Sequence, residues 1–244
     1  MPEPNRDPPN RASLKRIVTV VLGVASWGAV LFASAGRIDW LRGRISIALY
    51  FCGVLDAFVV MRIANPELIA ARGAKHANTK PFDKVFGAIY TLVMLAMPVV
   101  AGLDAVRYGG SHMGPHTLYA GAALFILGII PILGSAAVNR YLETTVRIQE
   151  ERGHRIVSSG PYRFVRHPMY VGLILQFIAL PLVLGSKWAF MPAGVVALLF
   201  VIRTGLEDRA LRNELAGYAQ YAETTRYRLV PGLGKFPRRA FAVS

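Results

Sequence analysis

Three stretches of this chain, residues 17–36, 85–103 and 117–138, contain no charged side chain. Each is close to the run of about 20 apolar residues that a helix needs to cross the hydrocarbon core of a bilayer. In lipid the backbone must satisfy its own polar groups, so runs of this kind fold as spanning helices. Three more runs extend the pattern. Residues 45–61 carry only Asp56, while 169–186 and 188–202 are shorter and separated by Lys187 alone, as in a tight helical hairpin. The chain is 54% hydrophobic and 17% charged, whereas a typical soluble domain is about 25% charged. The expected fold is an all-α polytopic membrane bundle of about six transmembrane helices. Pro98, Pro131, Pro181 and Pro192 lie in or near these runs and are expected to kink them.

The net charge of +14 does not point to nucleic acid, because the basic residues flank apolar runs instead of forming one face or tail. With six spans and the N-terminus inside, the inner segments hold 23 of the 28 lysines and arginines and the outer connections five. That asymmetry orients an inner or plasma membrane protein with both termini cytoplasmic. Outer Arg37, Arg42 and Arg44 oppose the rule locally and are expected to snorkel to headgroups. Ala33-Ser34-Ala35 resembles a signal-peptidase site, but the run before it is long for a signal peptide, so span 1 is read as retained.

The chain divides into a Pro- and Asn-rich segment 1–16 expected to be disordered, four helices in 17–138, a region 139–231 with the chemistry-bearing residues, and a tail 232–244. Residues 66–84 read as a polar cytoplasmic connection. One cysteine, Cys52, excludes an intramolecular disulfide and fits the apolar wall of a helix. Asp56 inside a span is either functional or, more simply, an interhelical hydrogen-bonding group. The five histidines lack metal-binding spacing, and no Walker loop, GxGxxG or GxSxG element is present.

The segment from His154 to Gly172 concentrates histidine, arginine, tyrosine and proline at the edge of an apolar run. Gly160-Pro161 signals a turn. Pro168 forces His167 out of helical geometry just where the fifth span begins, and a helix start favours anions. Arg163 and Arg166 would add positive charge there; alternatively they set topology and His167 caps the helix. Beyond the sixth span the helical pattern continues, with Glu207, Leu211, Glu214, Tyr218 and Tyr221 on one face. Glu207 either pairs with Arg203 one turn earlier or contacts a ligand; spacing supports both.

The order Gly160-Pro161-Tyr162-Arg163, Arg166-His167-Pro168, Tyr170 and Gly172, then Glu207-Asp208 with Leu211, then Tyr218 and Tyr221, resembles the isoprenylcysteine carboxyl methyltransferase family and its phospholipid N-methyltransferase relatives. The likeness covers about Asn139 to Pro231; family members usually have Glu-Glu where this chain has Glu207-Asp208. It implies a cofactor pocket at the cytoplasmic ends of the last helices, completed by a C-terminal cytoplasmic helix, that binds S-adenosylmethionine. By motif, the cofactor contacts implied are Gln149, His154, Arg155, Ile156, Val157, Tyr162, His167, Pro168, Met169, Tyr170 and Glu207. Arg203 matches a position near the methyl acceptor, and Arg203 and Glu207 are the implied catalytic pair. The acceptor implied is a lipid or isoprenoid-like carboxylate or amine. Two other readings stand beside this one. An NADPH-dependent membrane reductase would want the arginines at 226, 228, 238 and 239, and a non-catalytic membrane protein would retain only the fold.

Overall fold

The computed structural model describes residues 11–73 and 79–231, so the tail 232–244 and His76 lie outside the described residues. Within these bounds there are helices and no strands. In chain order they are α1 (Arg11–Ala35), α2 (Leu41–Ala64), α3 (Pro66–Gly73), α4 (Pro81–Gly102), α5 (Pro115–Val138), α6 (Pro168–Leu184), α7 (Phe190–Glu214) and α8 (Tyr218–Thr224). Proline opens α3, α4, α5 and α6, where its missing N–H has no intrahelical partner to lose. Residues 11–16, expected to be disordered, instead form the first turns of α1. The connection 66–84 likewise contains α3 and the start of α4.

Five helices are long and apolar enough to cross a membrane, one fewer than the sequence pattern suggested. The sixth, α6, is equally apolar but has only 17 residues, about 25 Å at 1.5 Å per residue. Gly185, at φ 75°, ends it in the left-handed conformation that glycine adopts without strain. Pro98, Pro131 and Pro181 do lie inside helices. Pro192 sits in the first turn of α7, where no hydrogen bond is lost and no kink is required.

The tightest packing joins α5 to α6. A Cβ on Gly121 would stand 2.7 Å from the Val183 nitrogen, and one on Gly128 would stand 2.7 Å from the Gly172 carbonyl. Small residues here let the two backbones meet. Around them, Phe86, Tyr90, Phe177 and Phe200 form an aromatic cluster in the bundle centre, with ring centroids 5.3 to 6.3 Å apart.

At the bundle end that carries the α6–α7 turn, the arginines expected to snorkel are held by protein. Arg42 donates to the Met113 and Gly114 carbonyls at 2.9 and 2.7 Å and to the Leu182 carbonyl at 3.1 Å. Arg44 donates to the Ile38 carbonyl, and Arg37 pairs with Asp39 at 2.6 Å. Arg42 and Arg44 thus donate to loop and helix-end carbonyls. A buried carboxylate, Asp104, sits nearby in the π-helical turn Leu103–Arg107 and accepts from Ser111 and Ser186. Asp56 faces out of α2 and makes no interhelical hydrogen bond among the described residues, contrary to the simpler expectation. Cys52 is exposed on the same helix.

Candidate active site

At the opposite end of the bundle, residues 139–167 leave α5, cross the ends of α4 and α7, and return into α6. Three local features shape this excursion. Gly153, at φ 59°, reverses the chain after a 3-10 turn over Glu150–Arg152. The reversal brings the His154 ring within 4.6 Å of the Tyr141 ring. A second 3-10 turn, Gly160–Arg163, buries Tyr162, whose hydroxyl accepts from Asn139 Nδ2 at 2.8 Å. Pro168 then opens α6, and His167, at φ −128° and ψ 61°, stands outside helical geometry with its N–H donating to the Arg228 carbonyl at 3.0 Å.

The excursion, the start of α6, the end of α7 and α8 enclose an open-mouthed cavity with about 810 Å³ of atom-free space, mouth included. Of the residues singled out from sequence, Gln149, His154, Arg155, Ile156, Val157, Tyr162, His167, Met169, Tyr170, Arg203 and Glu207 are on its wall. Pro168 is not; it is buried beneath as the first residue of α6. Gln149 is on the wall, but its amide is committed to the loop. Its nitrogen donates to the Tyr141 carbonyl and its oxygen accepts from Arg152, both at 2.7 Å.

The helical stripe is interrupted. α7 ends at Glu214, and Gly217, at φ 79°, turns the chain into α8. Glu207, Leu211, Tyr218 and Tyr221 still line the cavity, whereas Glu214 turns away to bind Lys80 at 2.6 Å. Glu207 does not pair with Arg203. It accepts from the Tyr170 hydroxyl at 2.6 Å, while Arg203 Nη2 lies 3.0 Å from Asp83 Oδ1 and donates to the Thr144 carbonyl at 2.9 Å.

Asp208, the departure from the family's usual Glu-Glu, is fully buried. It accepts from Arg166 Nε at 2.6 Å and Nη2 at 3.1 Å, from Arg212 and Arg228 at 3.3 and 3.2 Å, and from the Tyr218 hydroxyl at 3.1 Å. Arg166 also donates to the Thr225 carbonyl at 2.6 Å, so it is bound internally and is not a free anion receptor; Arg163 is exposed. His167 makes no capping bond with its side chain. Its Nε2 is 3.7 Å from Asp208 Oδ1, beyond hydrogen-bonding distance.

Three wall residues carry a buried side-chain polar atom with no protein partner: Thr145 Oγ1, His167 Nε2 and Arg203 Nε. Such atoms are uncommon in native interiors, and three around one cavity suit a polar ligand. The wall has two carboxylates. Glu143 is paired with Arg147 at 2.8 Å, and Glu207 has no ion-pair partner among the described residues. The hydrogen bond to Glu143 holds the Arg147 guanidinium above its ordinary range. Burial pushes the His154 imidazole below its ordinary value. Burial also raises the phenols of Tyr162 and Tyr218, and lifts Tyr221 to about 12, so all three stay protonated at neutral pH.

Sequence reasoning missed Asp83, Tyr141, Thr145 and the Glu143–Arg147 pair. The i, i+4 spacing of Glu143 and Arg147 offered a signal, although they lie in a loop and not on a helix. For the reductase reading, Arg228 is committed to Asp208, neither Arg226 nor Arg228 is on the wall, and Arg238 and Arg239 lie outside the described residues.

Residues 116–216, from the first turn of α5 to just past α7, match the phospholipid methyltransferase family. The match contains the whole excursion, His167, Arg203, Glu207 and Asp208, and leaves out α1 to α4 and α8. The cobalt-zinc-cadmium resistance protein CzcN of Cupriavidus metallidurans is 33% identical over 129 residues, 49% of this chain and 51% of that protein. The chain thus spans about half the length of this curated relative.

Proposed function

We propose that this membrane protein is a methyltransferase that uses S-adenosylmethionine and acts on a lipophilic acceptor. The observation that carries the reading is the cavity wall within the family region: three unpartnered buried polar atoms and one unpaired carboxylate, Glu207. A ligand bearing ammonium, carboxylate and sulfonium groups fits this set. Glu207 would take the ammonium in a charge-assisted bond. His167 Nε2 would face the carboxylate, beside the arginines gathered on Asp208. Tyr162 and Tyr170 offer ring faces to a cation, and Ile156, Val157 and Leu211 offer an apolar bed for a base.

When bound, S-adenosylmethionine supplies an activated methyl group on sulfur. The protein's share is alignment of acceptor atom, methyl carbon and sulfur, which is worth up to about 7–11 kcal/mol in well-oriented systems. A carboxylate acceptor needs no base. An amine must lose a proton, and Glu207 and His167 are the candidates to take it. The excess of basic residues on the inner segments favours a cytoplasmic mouth, with the acceptor entering laterally between helices.

Calorimetric titration of the detergent-purified protein with S-adenosylhomocysteine tests this. Affinity near micromolar is expected, weakened about tenfold or more by Glu207→Gln, with no NADPH binding. Folded protein that ignores S-adenosylhomocysteine, or that binds NADPH instead, would overturn the proposal.

A further inference from the structure

We infer that Asp83 sets the charge preference of the acceptor end of the cavity, cancelling the Arg203 cation that a carboxylate acceptor would need. The inference rests on the methyl-transfer reading above, but it concerns a residue of α4 outside the family-matched region.

Asp83 is buried in the first turn of α4, where a carboxylate complements the helix dipole. It is divided between two parts of the site. One oxygen accepts from the Val146 N–H in the excursion at 2.8 Å; the other lies 3.0 Å from Arg203 Nη2. Their side chains are 3% and 9% exposed, so solvent does little to screen the pair. The Arg203 guanidinium carbon also stands 4.4 Å from the Phe86 ring centre and 5.4 Å from that of Tyr170. Arg203 is therefore the wall cation that reaches the aromatic core, where a lipid tail would lie.

The other wall cations do not serve that end. Arg147 is bound to Glu143, Arg166 to Asp208, and Arg155 is exposed. Near Arg203, one helical turn on, stands Glu207. Two carboxylates and one guanidinium thus leave this end with net negative charge. An entering carboxylate meets repulsion there. An amine meets Glu207, and Arg203 keeps its unpartnered Nε for a neutral oxygen. Arg203 consequently acts as a neutral-oxygen donor, and Asp83 is what makes it one.

The test uses two probes with one tail and opposite charge. Full-length protein in detergent, loaded with S-adenosylhomocysteine, is titrated calorimetrically with octylamine and with octanoate. Wild type is expected to reject octanoate relative to octylamine. Asp83→Asn keeps an oxygen for the Val146 N–H and loses the charge, so it should gain octanoate affinity about tenfold or more while holding S-adenosylhomocysteine as before. Tighter octanoate than octylamine binding by wild type would overturn the inference, as would unchanged octanoate affinity in a cofactor-competent variant. Should Asp83→Asn not fold, the double variant Asp83→Asn with Arg203→Gln removes both charges and should treat octanoate as wild type does. A large loss of octanoate affinity in it would mean that Arg203 had been receiving carboxylates all along. Failure of wild type to bind S-adenosylhomocysteine at all would instead sink the methyl-transfer reading.

Discussion

The α6–α7 hairpin is fastened at both ends by a buried aspartate, and the two fastenings use different donors. At the turn end, Asp104 takes two serine hydroxyls, at 2.7 and 2.5 Å, and the Trp188 amide at 3.4 Å. At the cavity end, Asp208 takes three arginines and a tyrosine. Neutral donors satisfy the lone pairs of a carboxylate without supplying counter-charge, whereas a buried charge cluster must desolvate every ion it gathers and rarely improves on apolar packing for stability. Such a cluster is placed where orientation matters. Three arginines on one aspartate leave a positive surplus beside His167, whereas the Asp104 latch adds no positive charge of its own.

Substitutions at the two ends should therefore part company. Asp208→Ala strands three arginines without their counter-charge and should cost about 3–5 kcal/mol. Thermal unfolding in detergent would show a large drop in midpoint together with lost S-adenosylhomocysteine binding. A near-normal midpoint would erase the distinction drawn between the two ends. Asp104→Ala leaves two hydroxyls and an amide short of an acceptor, a loss of about 1–3 kcal/mol. Its midpoint should fall less, with cofactor-product affinity unchanged; altered affinity would mean that the turn end communicates with the cavity.

The smallest effect concerns pH. Burial holds His154 below the ordinary histidine value, so the folded state resists a proton that the unfolded chain accepts. Above about pH 6.5 both states are neutral and nothing is lost. Stability should fall as pH drops below that value towards the lowered folded pKa. The midpoint difference between about pH 7.5 and pH 5.5 should shrink in His154→Asn. An identical difference in the variant would remove His154 as its source.

What could be read in the sequence follows from what is periodic or contiguous. Uncharged runs announced the spanning helices, because a missing charge is a local property. The break between α7 and α8 was hidden because Leu211, Tyr218 and Tyr221 keep helical spacing on both sides of Gly217 and reach the same cavity by a turn. Asp83 looked like one more polar residue in a connection, since its partners Val146 and Arg203 are brought to it only by the packed bundle. The roles of Glu207 and Asp208 were likewise open. Adjacent residues on a helix point about 100° apart, and here one faces the cavity and the other the arginines.

The shortness of α6 also has a consequence for its place in the bundle. At about 25 Å it falls about 5 Å short of an ordinary hydrocarbon core. None of its 17 residues is exposed, because α2, α5 and α7 surround it. A mismatch in length is felt where a helix meets lipid, so an enclosed helix can be short without asking the bilayer to thin.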